Sequence, residues 1–292
     1  MPRAKVSATI ELEYDVTGDA GAPPLVLVMG FGQQMIAWDP RFCAKIANRG
    51  FRVVRYDNRD VGLSTKLAQH GTPDFMRAMM GDASAAPYSI TDMADDLAGL
   101  VTALDLRAAH IVGASMGGFI VQETAIRHPE RVLSVASIMS TTGNRAAAQS
   151  KPEALAMLVK PPPTDRAAML ERALELWKVI GSPGFPFDRE RILARAGAAW
   201  DRDHDPAGVA RQAAAVFTQR DRTTDLAKVK VPTVVIHGAE DPLISVSGGE
   251  ATANVIPGAK LVVVPGMGHD LPEGAWDTIV AAIVDNARRA VA

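Results

Sequence analysis

Short, continuous apolar runs recur along the chain and alternate with segments of helical pattern. The runs are PLVLVMG (24–30), FRVVRYD (51–57), AHIVGA (109–114), VLSVASIMS (132–140), VPTVVIHG (231–238) and AKLVVVPG (259–266). Strands of a parallel sheet are apolar throughout when helices cover both of its faces. The alternation therefore predicts an α/β fold, with a mostly parallel sheet flanked by helices.

The alternation is interrupted between residues 141 and 226, where no buried strand is predicted. Helical patterns at 166–180 and 207–217 are separated there by turn-rich sequences such as PPPT and GSPGFPFD. We therefore divide the chain into a first part of the core, residues 1–140, a helical cap, residues 141–226, and a second part of the core, residues 227–292.

Three other patterns place elements outside these runs. The segment 6–16 alternates like a strand or hairpin, and residues 273–290 have the pattern of a final helix. Ser89-Ile90-Thr91-Asp92 resembles a capping box that opens a helix ending near Leu104.

Composition narrows the classes of protein and of partner. The net charge of −2 over 292 residues gives no reason to expect nucleic acid or an anionic membrane as a partner. Cys43 is the single cysteine, so no disulfide forms within the chain, which suits a reducing compartment. There is no signal-peptide pattern and no apolar stretch near the roughly 18 residues of a membrane span. We expect a soluble, cytoplasmic protein, and the sequence leaves its state open, a homo-oligomer included.

Ser115 lies in Gly113-Ala114-Ser115-Met116-Gly117, a G-x-S-x-G sequence that follows an apolar run and precedes a helical segment. In a nucleophile elbow, glycines two residues on either side let the backbone turn sharply beneath an exposed serine. The alternative is a glycine-rich turn with an incidental serine. The position between a strand and a helix favours the nucleophile.

A serine nucleophile needs a base, and the base needs a carboxylate that orients it. His269 in PGMGHDLP follows the last apolar run, and Asp241 in HGAEDPLIS follows the run before it. Glu240 is the rival carboxylate. The order Ser115, Asp241, His269 is nucleophile, acid, histidine, the order found in α/β-hydrolases.

The developing oxyanion needs two backbone N–H donors. We predict that Met116 supplies one at the start of its helix. The second is expected from Phe31, in the turn Gly30-Phe31-Gly32 after the first apolar run.

Aromatic side chains of the cap are candidates for a substrate pocket: Trp177, Phe185, Phe187 and Trp200. Packing among the cap helices is an equally good explanation for each of them.

Five blocks together make the chain resemble the α/β-hydrolase family over nearly its whole length: LVMGFG, VVRYDNRDVGLS, IVGASMGG, VVIHGAEDPL and VPGMGHDLP. The blocks VMGFG and RYDNRDVGLS are most similar to those of the aclacinomycin methylesterase type. Enol-lactone hydrolases and cofactor-free haloperoxidases have similar blocks. The resemblance implies an eight-stranded core, a helical cap after the sixth strand, and ester hydrolysis through an acyl-enzyme without a metal or organic cofactor.

Two blocks depart from the pattern of many relatives. Met29-Gly30 stands where they have His-Gly, so hydrogen bonds from that histidine are missing. Asp57-Asn58-Arg59-Asp60 stands where they have Asp-x-Arg-Gly. We expect Arg59 and Asp60 to tie loops together rather than to take part in chemistry.

The sequence therefore predicts a serine carboxylic-ester hydrolase with a small to medium hydrophobic ester as its substrate. The same three residues would also serve a lactonase, a C–C bond hydrolase or a cofactor-free perhydrolase or haloperoxidase. A ligand-binding protein without activity is the alternative from another class.

Overall fold

In the computed structural model, which describes residues 2–290, eight strands form one sheet. Its order is β1-β2-β4-β3-β5-β6-β7-β8. The strands are β1 (Arg3–Lys5), β2 (Glu11–Thr17), β3 (Pro24–Val28), β4 (Arg52–Tyr56), β5 (Ala109–Ala114), β6 (Val132–Ile138), β7 (Thr233–Gly238) and β8 (Lys260–Val264). The β1–β2 and β2–β4 pairs are antiparallel, and all the other pairs are parallel. The predicted mostly parallel α/β sheet is confirmed, and each of the six apolar runs contains one strand.

The N-terminal hairpin differs in position from the predicted segment 6–16. Its second strand, β2, overlaps that segment, but its first strand, β1, precedes it. Only Ala4 is buried among the three residues of β1, so the strand has no apolar pattern by which to be recognised.

Helices flank the sheet and cover its carboxyl edge. They are α1 (Pro40–Ala47), α2 (Phe75–Met79), α3 (Ile90–Ala103), α4 (Met116–Arg127), α5 (Pro152–Val159), α6 (Arg166–Ile180), α7 (Arg189–Arg202), α8 (Pro206–Phe217), α9 (Thr223–Leu226), α10 (Val246–Val255) and α11 (Trp276–Arg288). One core layer joins the sheet to α3 and α4, and the other joins it to α1 and α11.

The capping box at the start of α3 is confirmed. The Ser89 hydroxyl accepts from the backbone N–H of Asp92 at 3.3 Å, and the Ser89 N–H donates to the Asp92 carboxylate at 2.8 Å. Two orphan donors at the helix start are thereby satisfied.

Helices α5 to α9 all lie between β6 and β7 in the chain, and we call the segment 141–226 that holds them the cap. Its attachments to the core are polar and largely buried. Arg211 of α8 makes two hydrogen bonds to the Asp60 carboxylate, at 2.8 and 2.9 Å, and both side chains are at most 1% exposed. Arg202 of α7 contacts the buried Asp57 carboxylate at 2.6 Å. Asp57 and Asp60 lie in the loop after β4, so these pairs tie the cap to a loop at the carboxyl edge of the sheet.

Arg59, between those two aspartates, turns the other way. Its guanidinium donates to both carboxylate oxygens of Asp96 on α3, at 2.6 and 2.8 Å. Arg59 and Asp60 thus join the same loop to a core helix and to the cap. Within residues 2–290, no helix is both long enough and apolar enough to cross a membrane.

Candidate active site

Ser115 occupies the sharp turn between β5 and α4. Its φ of 55° and ψ of −118° lie in a region that residues with a side chain rarely adopt. The backbone crowding around it explains the two flanking glycines. A Cβ on Gly113 would lie 2.0 Å from the carbonyl oxygen of Gly117, and one on Gly117 would lie 2.1 Å from that of Val28. The geometry is that of a nucleophile elbow.

Ser115, His269 and Asp241 come together at the carboxyl edge of the sheet, each from the loop after a different parallel strand. The Ser115 hydroxyl lies 2.9 Å from His269 Nε2, and His269 Nδ1 lies 2.8 Å from Asp241 Oδ2. His269 is 5% exposed and Asp241 is 6% exposed. A carboxylate only accepts hydrogen bonds, so Nδ1 carries the proton and Nε2 is left free to accept one from the serine.

The Asp241 carboxylate is held in place from both sides. Its Oδ1 accepts the backbone N–H groups of Leu243 and Ile244, each at 2.9 Å. Burial alone would raise the pKa of Asp241, but interactions with His269 and His237 outweigh burial and hold that pKa well below its usual value. The carboxylate therefore stays ionised and able to stabilise an imidazolium on His269.

Glu240, the rival carboxylate, is exposed, and it contacts neither imidazole. The separation of the two neighbours follows from the backbone. The Glu240 N–H donates to the carbonyl of Met267 and the Asp241 N–H to that of Gly238, which fixes the turn after β7. The structure thus brings Asp241, and not Glu240, to the histidine.

The predicted oxyanion donors lie beside the serine. Gly30 approaches so closely that a Cβ there would be 3.1 Å from Ser115 Cβ, and Phe31 and Met116 both line the cavity that contains Ser115. Among the described residues, neither the Phe31 N–H nor the Met116 N–H donates to another protein group. Met116 is also the first residue of α4, where the helix dipole favours negative charge. The turn of Gly30 and Gly32 is tight, with Gly32 at a φ of 65°.

Ser115 and His269 open onto a cavity of about 460 Å³ that is mostly apolar. Its wall carries four methionines: Met29, Met79, Met116 and Met139. Other apolar side chains of the wall are Phe31, Phe119, Leu155, Leu158, Leu176, Trp177, Ile180, Val216, Phe217, Leu243 and Ile244. Arg145 is the one Lys, Arg, Asp or Glu side chain among the lining residues; it is exposed and donates to the carbonyl of Phe217 at 3.1 Å.

Of the four aromatic residues predicted for a substrate pocket, the structure places Trp177 in the cavity that contains Ser115 and the other three outside it. Phe185 and Phe187 line a second cavity of about 860 Å³, and Trp200 packs on His204 with ring centroids 3.8 Å apart. Trp177 lines both cavities. Phe185 and Phe187 follow the end of α6 and Trp200 lies on α7, and no periodicity in the sequence indicates which way those segments face.

Most of the lining residues that the sequence did not indicate lie in the cap, on α5, α6 and α8 and in the loop before α5. Others lie on α2, on α4 and in the loop after β7. Most of these segments are distant in the chain from Ser115, and their apolar residues look like ordinary helix packing, so only the tertiary fold brings them to the cavity.

Metal ligation has no candidate within residues 2–290: no group of three or more His, Cys, Asp or Glu side chains is arranged to hold a metal ion.

Comparison with known proteins matches residues 23–274 to the family described as alpha/beta hydrolase fold. The chain is 29% identical to rhodomycin D methylesterase DnrP of Streptomyces peucetius, over 94% of this chain and 93% of that one. It is 25% identical to a non-heme haloperoxidase of Rhodococcus erythropolis, over 97% and 98% of the two chains. Among solved structures, the enol-lactonase from Burkholderia xenovorans LB400 superposes with a TM-score of 0.73 at 25% identity, covering 98% of this chain and all of that one.

Proposed function

The chain belongs to the alpha/beta-hydrolase fold family, and on that basis we propose that it is a serine carboxylic-ester hydrolase that works through an acyl-enzyme intermediate. The observation that carries the proposal is the continuous hydrogen-bonded chain from Ser115 through His269 to Asp241, at 2.9 and 2.8 Å. The similarity to a methylesterase along nearly the whole chain supports the same bond type.

Acylation follows from the tautomer of His269. Its Nε2 accepts the Ser115 proton as the serine oxygen attacks the ester carbonyl carbon, and Asp241 stabilises the resulting imidazolium. The carbonyl oxygen becomes an oxyanion, which we assign to the N–H groups of Phe31 and Met116. Collapse of this intermediate breaks the ester C–O bond, and His269 returns its proton to the departing alcohol.

Deacylation repeats the sequence with water. His269 removes a proton from a water molecule that attacks the acyl-enzyme, and the same two N–H groups stabilise the second oxyanion. Ser115 leaves with the proton from His269, and the carboxylic acid is released. In this mechanism the chain's own residues supply every group, and we propose no metal or organic cofactor.

The cavity supports an ester with an apolar acyl or alcohol portion of small to medium size. Its walls bury hydrocarbon surface, which favours binding by about 25 cal/mol per Å² removed from water. We also propose that residues 141–226 act as the cap that closes this cavity over a core of residues 1–140 and 227–292. The cytoplasmic location and the absence of nucleic acid and membrane partners stay predictions, and the oligomeric state stays open, a homo-oligomer included.

A second candidate function uses the same triad on another bond. The similarity to an enol-lactonase structure and to a non-heme haloperoxidase favours a lactone substrate, or a peracid-forming reaction, as the alternative. The remaining alternatives are a C–C bond hydrolase and a ligand-binding protein without activity. Relative rates on matched esters, lactones and diketones distinguish an esterase, a lactonase and a C–C bond hydrolase.

Replacement of Ser115 by alanine tests the mechanism. We expect kcat for a p-nitrophenyl short-chain ester to fall by about 10⁴-fold or more, because the nucleophile is lost while the cavity stays. Ser134→Ala is the control: Ser134 is buried, bonds His110 in the sheet and lies outside the cavity.

A fluorophosphonate probe provides a second readout, because it labels only an activated serine. Labelling of the wild type and of Ser134→Ala, but not of Ser115→Ala, would support the proposal. Full ester hydrolysis by purified Ser115→Ala would refute it, and a wild type that neither turns over nor takes the label would favour the binding protein.

A further inference from the structure

A second imidazole, His237, lies against the carboxylate that holds His269. It is the penultimate residue of β7, and its side chain is fully buried. Its Nε2 lies 2.8 Å from the carbonyl oxygen of Ile244 and 3.5 Å from Asp241 Oδ2. That carboxylate oxygen is the same one that accepts the Nδ1 proton of His269 at 2.8 Å.

The contacts fix which nitrogen of His237 carries hydrogen. A carbonyl oxygen only accepts, so Nε2 carries the hydrogen and donates it to Ile244, while the Asp241 carboxylate lies 3.5 Å from the same nitrogen. The other nitrogen, Nδ1, is buried and has no hydrogen-bond partner in the described part of the chain. A Cβ on Gly249 of α10 would lie 2.5 Å from this nitrogen. The ring is therefore held between α10 and the loop after β7 in one orientation.

We propose that His237 is a positioning residue for the reaction: its Nε2–H, held by the Ile244 carbonyl at 3.5 Å from Asp241 Oδ2, places positive partial charge beside that carboxylate and so sets the pH at which His269 becomes a base. The inference rests on the proposed function, in which neutral His269 takes the Ser115 proton. Among the described residues, the remaining buried histidine, His110, bonds Ser134 in the sheet instead.

Asp241 Oδ2 accepts a hydrogen bond from His269 and has the N–H group of His237 nearby. Both polar N–H groups stabilise the ionised carboxylate, and the one on His237 lowers its ability to stabilise a positive charge on His269. When the His237 donor is removed, Asp241 becomes a stronger partner for the His269 imidazolium. His269 then holds its proton to a higher pH, and the fraction of active base at a given pH falls.

Asp241, and His269 through it, are the titratable groups that face His237. Asp270 follows His269 in the loop after β8, is partly buried and interacts with His269, but it is the same in every variant compared below. The other charged side chains on the elements packed against it are exposed: Glu240 in the following loop, Glu250 on α10, Lys260 on β8, and Asp277, Asp285 and Arg288 on α11. Solvent screens these charges, so they do not control the pair.

The test compares replacements that keep or lose the donor. A glutamine amide nitrogen can occupy the place of Nε2, whereas leucine has no donor and asparagine is too short to reach Ile244. We expect the midpoint of the acid limb in the pH profile of kcat/KM to shift to higher pH by about 0.5 to 1 unit in His237→Leu and in His237→Asn. In His237→Gln the midpoint should stay near its wild-type position. His110→Gln, which changes an equally buried histidine away from the triad, is expected to leave the limb where it is.

A measurement without substrate separates this proposal from the proposed function. The proton between His269 and Asp241 gives a far-downfield NMR resonance, and we expect it to move further downfield in His237→Leu or His237→Asn, with return in His237→Gln. Superimposable pH profiles and resonances for all the variants would overturn the proposal, as would equal shifts in His237→Gln and His237→Leu. If the wild type hydrolyses no ester by way of Ser115, the proposed function fails, and the resonance alone still supports or overturns the role of His237. If His237→Leu does not fold, the comparison of His237→Asn with His237→Gln decides.

Discussion

His110 is a residue whose burial has a consequence for stability. It lies at the start of β5, at the opposite end of the strand from Ser115, with its Nδ1 on Ser134 and its ring edge-on to Phe51. Burial lowers the pKa of His110 from 6.5 to about 4. The folded protein therefore keeps this imidazole neutral under conditions in which the unfolded chain protonates it.

We predict that His110 makes the fold sensitive to mild acid. Between pH 6.5 and about 4 the unfolded state binds a proton that the folded state does not, so stability falls as the pH falls. From pH 7 to pH 5, the free energy of unfolding of the wild type should drop by about 2 kcal/mol more than that of His110→Gln. Urea unfolding of both proteins at the two pH values measures the difference. Equal drops would show that His110 is protonated as readily when folded as when unfolded.

At the level of residues, the sequence was sufficient to place the catalytic candidates and insufficient to place the cavity wall. A serine, an aspartate and a histidine that each follow a strand of one parallel sheet must meet at the same edge, and their order in the chain indicates their roles. No such rule places Phe185, Phe187 or Trp200. Their environment depends on how the cap helices are turned, which local pattern does not encode.

At the level of elements, α4 depends on an unusually close contact with β3. Gly117 and Gly118 let the first turn of the helix lie against the strand and against Ser140 of the loop after β6. This approach brings the start of the helix, with its free N–H groups, to the serine. The predicted strands were found because apolar runs are strong signals, whereas α2 and α10 were missed because each is short or rich in glycine and small residues.

In Gly117→Ala, helix propensity and packing have opposite effects on the stability of the protein. Inside a helix, alanine is favoured over glycine by about 1 kcal/mol, so propensity alone predicts a more stable protein. Its Cβ would meet the carbonyl of Val28 at 2.1 Å, so we expect a net loss of about 1 to 3 kcal/mol and a fall in esterase rate as Met116 shifts. Chemical denaturation and kcat measure the two effects. Gly21→Ala, which meets nothing closer than 3.5 Å, is the control.

At the level of the whole molecule, buried ion pairs between the cap and the core decide how the two parts sit together. Asp60 is completely buried and has Arg211 as its countercharge, and Asp57 pairs with Arg202. The sequence indicated that Arg59 and Asp60 tie loops together, but it gave no means to choose their partners. Arg211 is 151 residues from Asp60 in the chain, and nothing in the local pattern distinguishes it from other arginines of the cap.

Removal of Arg211 tests the strength of this attachment. In Arg211→Met the Asp60 carboxylate keeps its burial but loses its countercharge, so we expect destabilisation by about 3 to 5 kcal/mol. The exposed pair of Arg166 with Asp201 provides the control, and Arg166→Met should destabilise the protein much less than Arg211→Met, because solvent screens the exposed pair. Urea unfolding measures both. The addition of Asp60→Asn to Arg211→Met should recover part of the loss, and its failure to do so would show that the charge is not the cause.

The four methionines of the cavity wall have a consequence for the substrate selectivity of the proposed esterase. Methionine is unbranched, has three rotatable side-chain bonds and carries a polarisable sulfur, so it refills space that a different ligand leaves empty. The attached cap surrounds the cavity at Ser115, while these side chains can change the shape inside it. We therefore expect the proposed esterase to accept a series of related substrates, and to discriminate by the bond that Ser115 would attack more than by the shape of the group next to that bond.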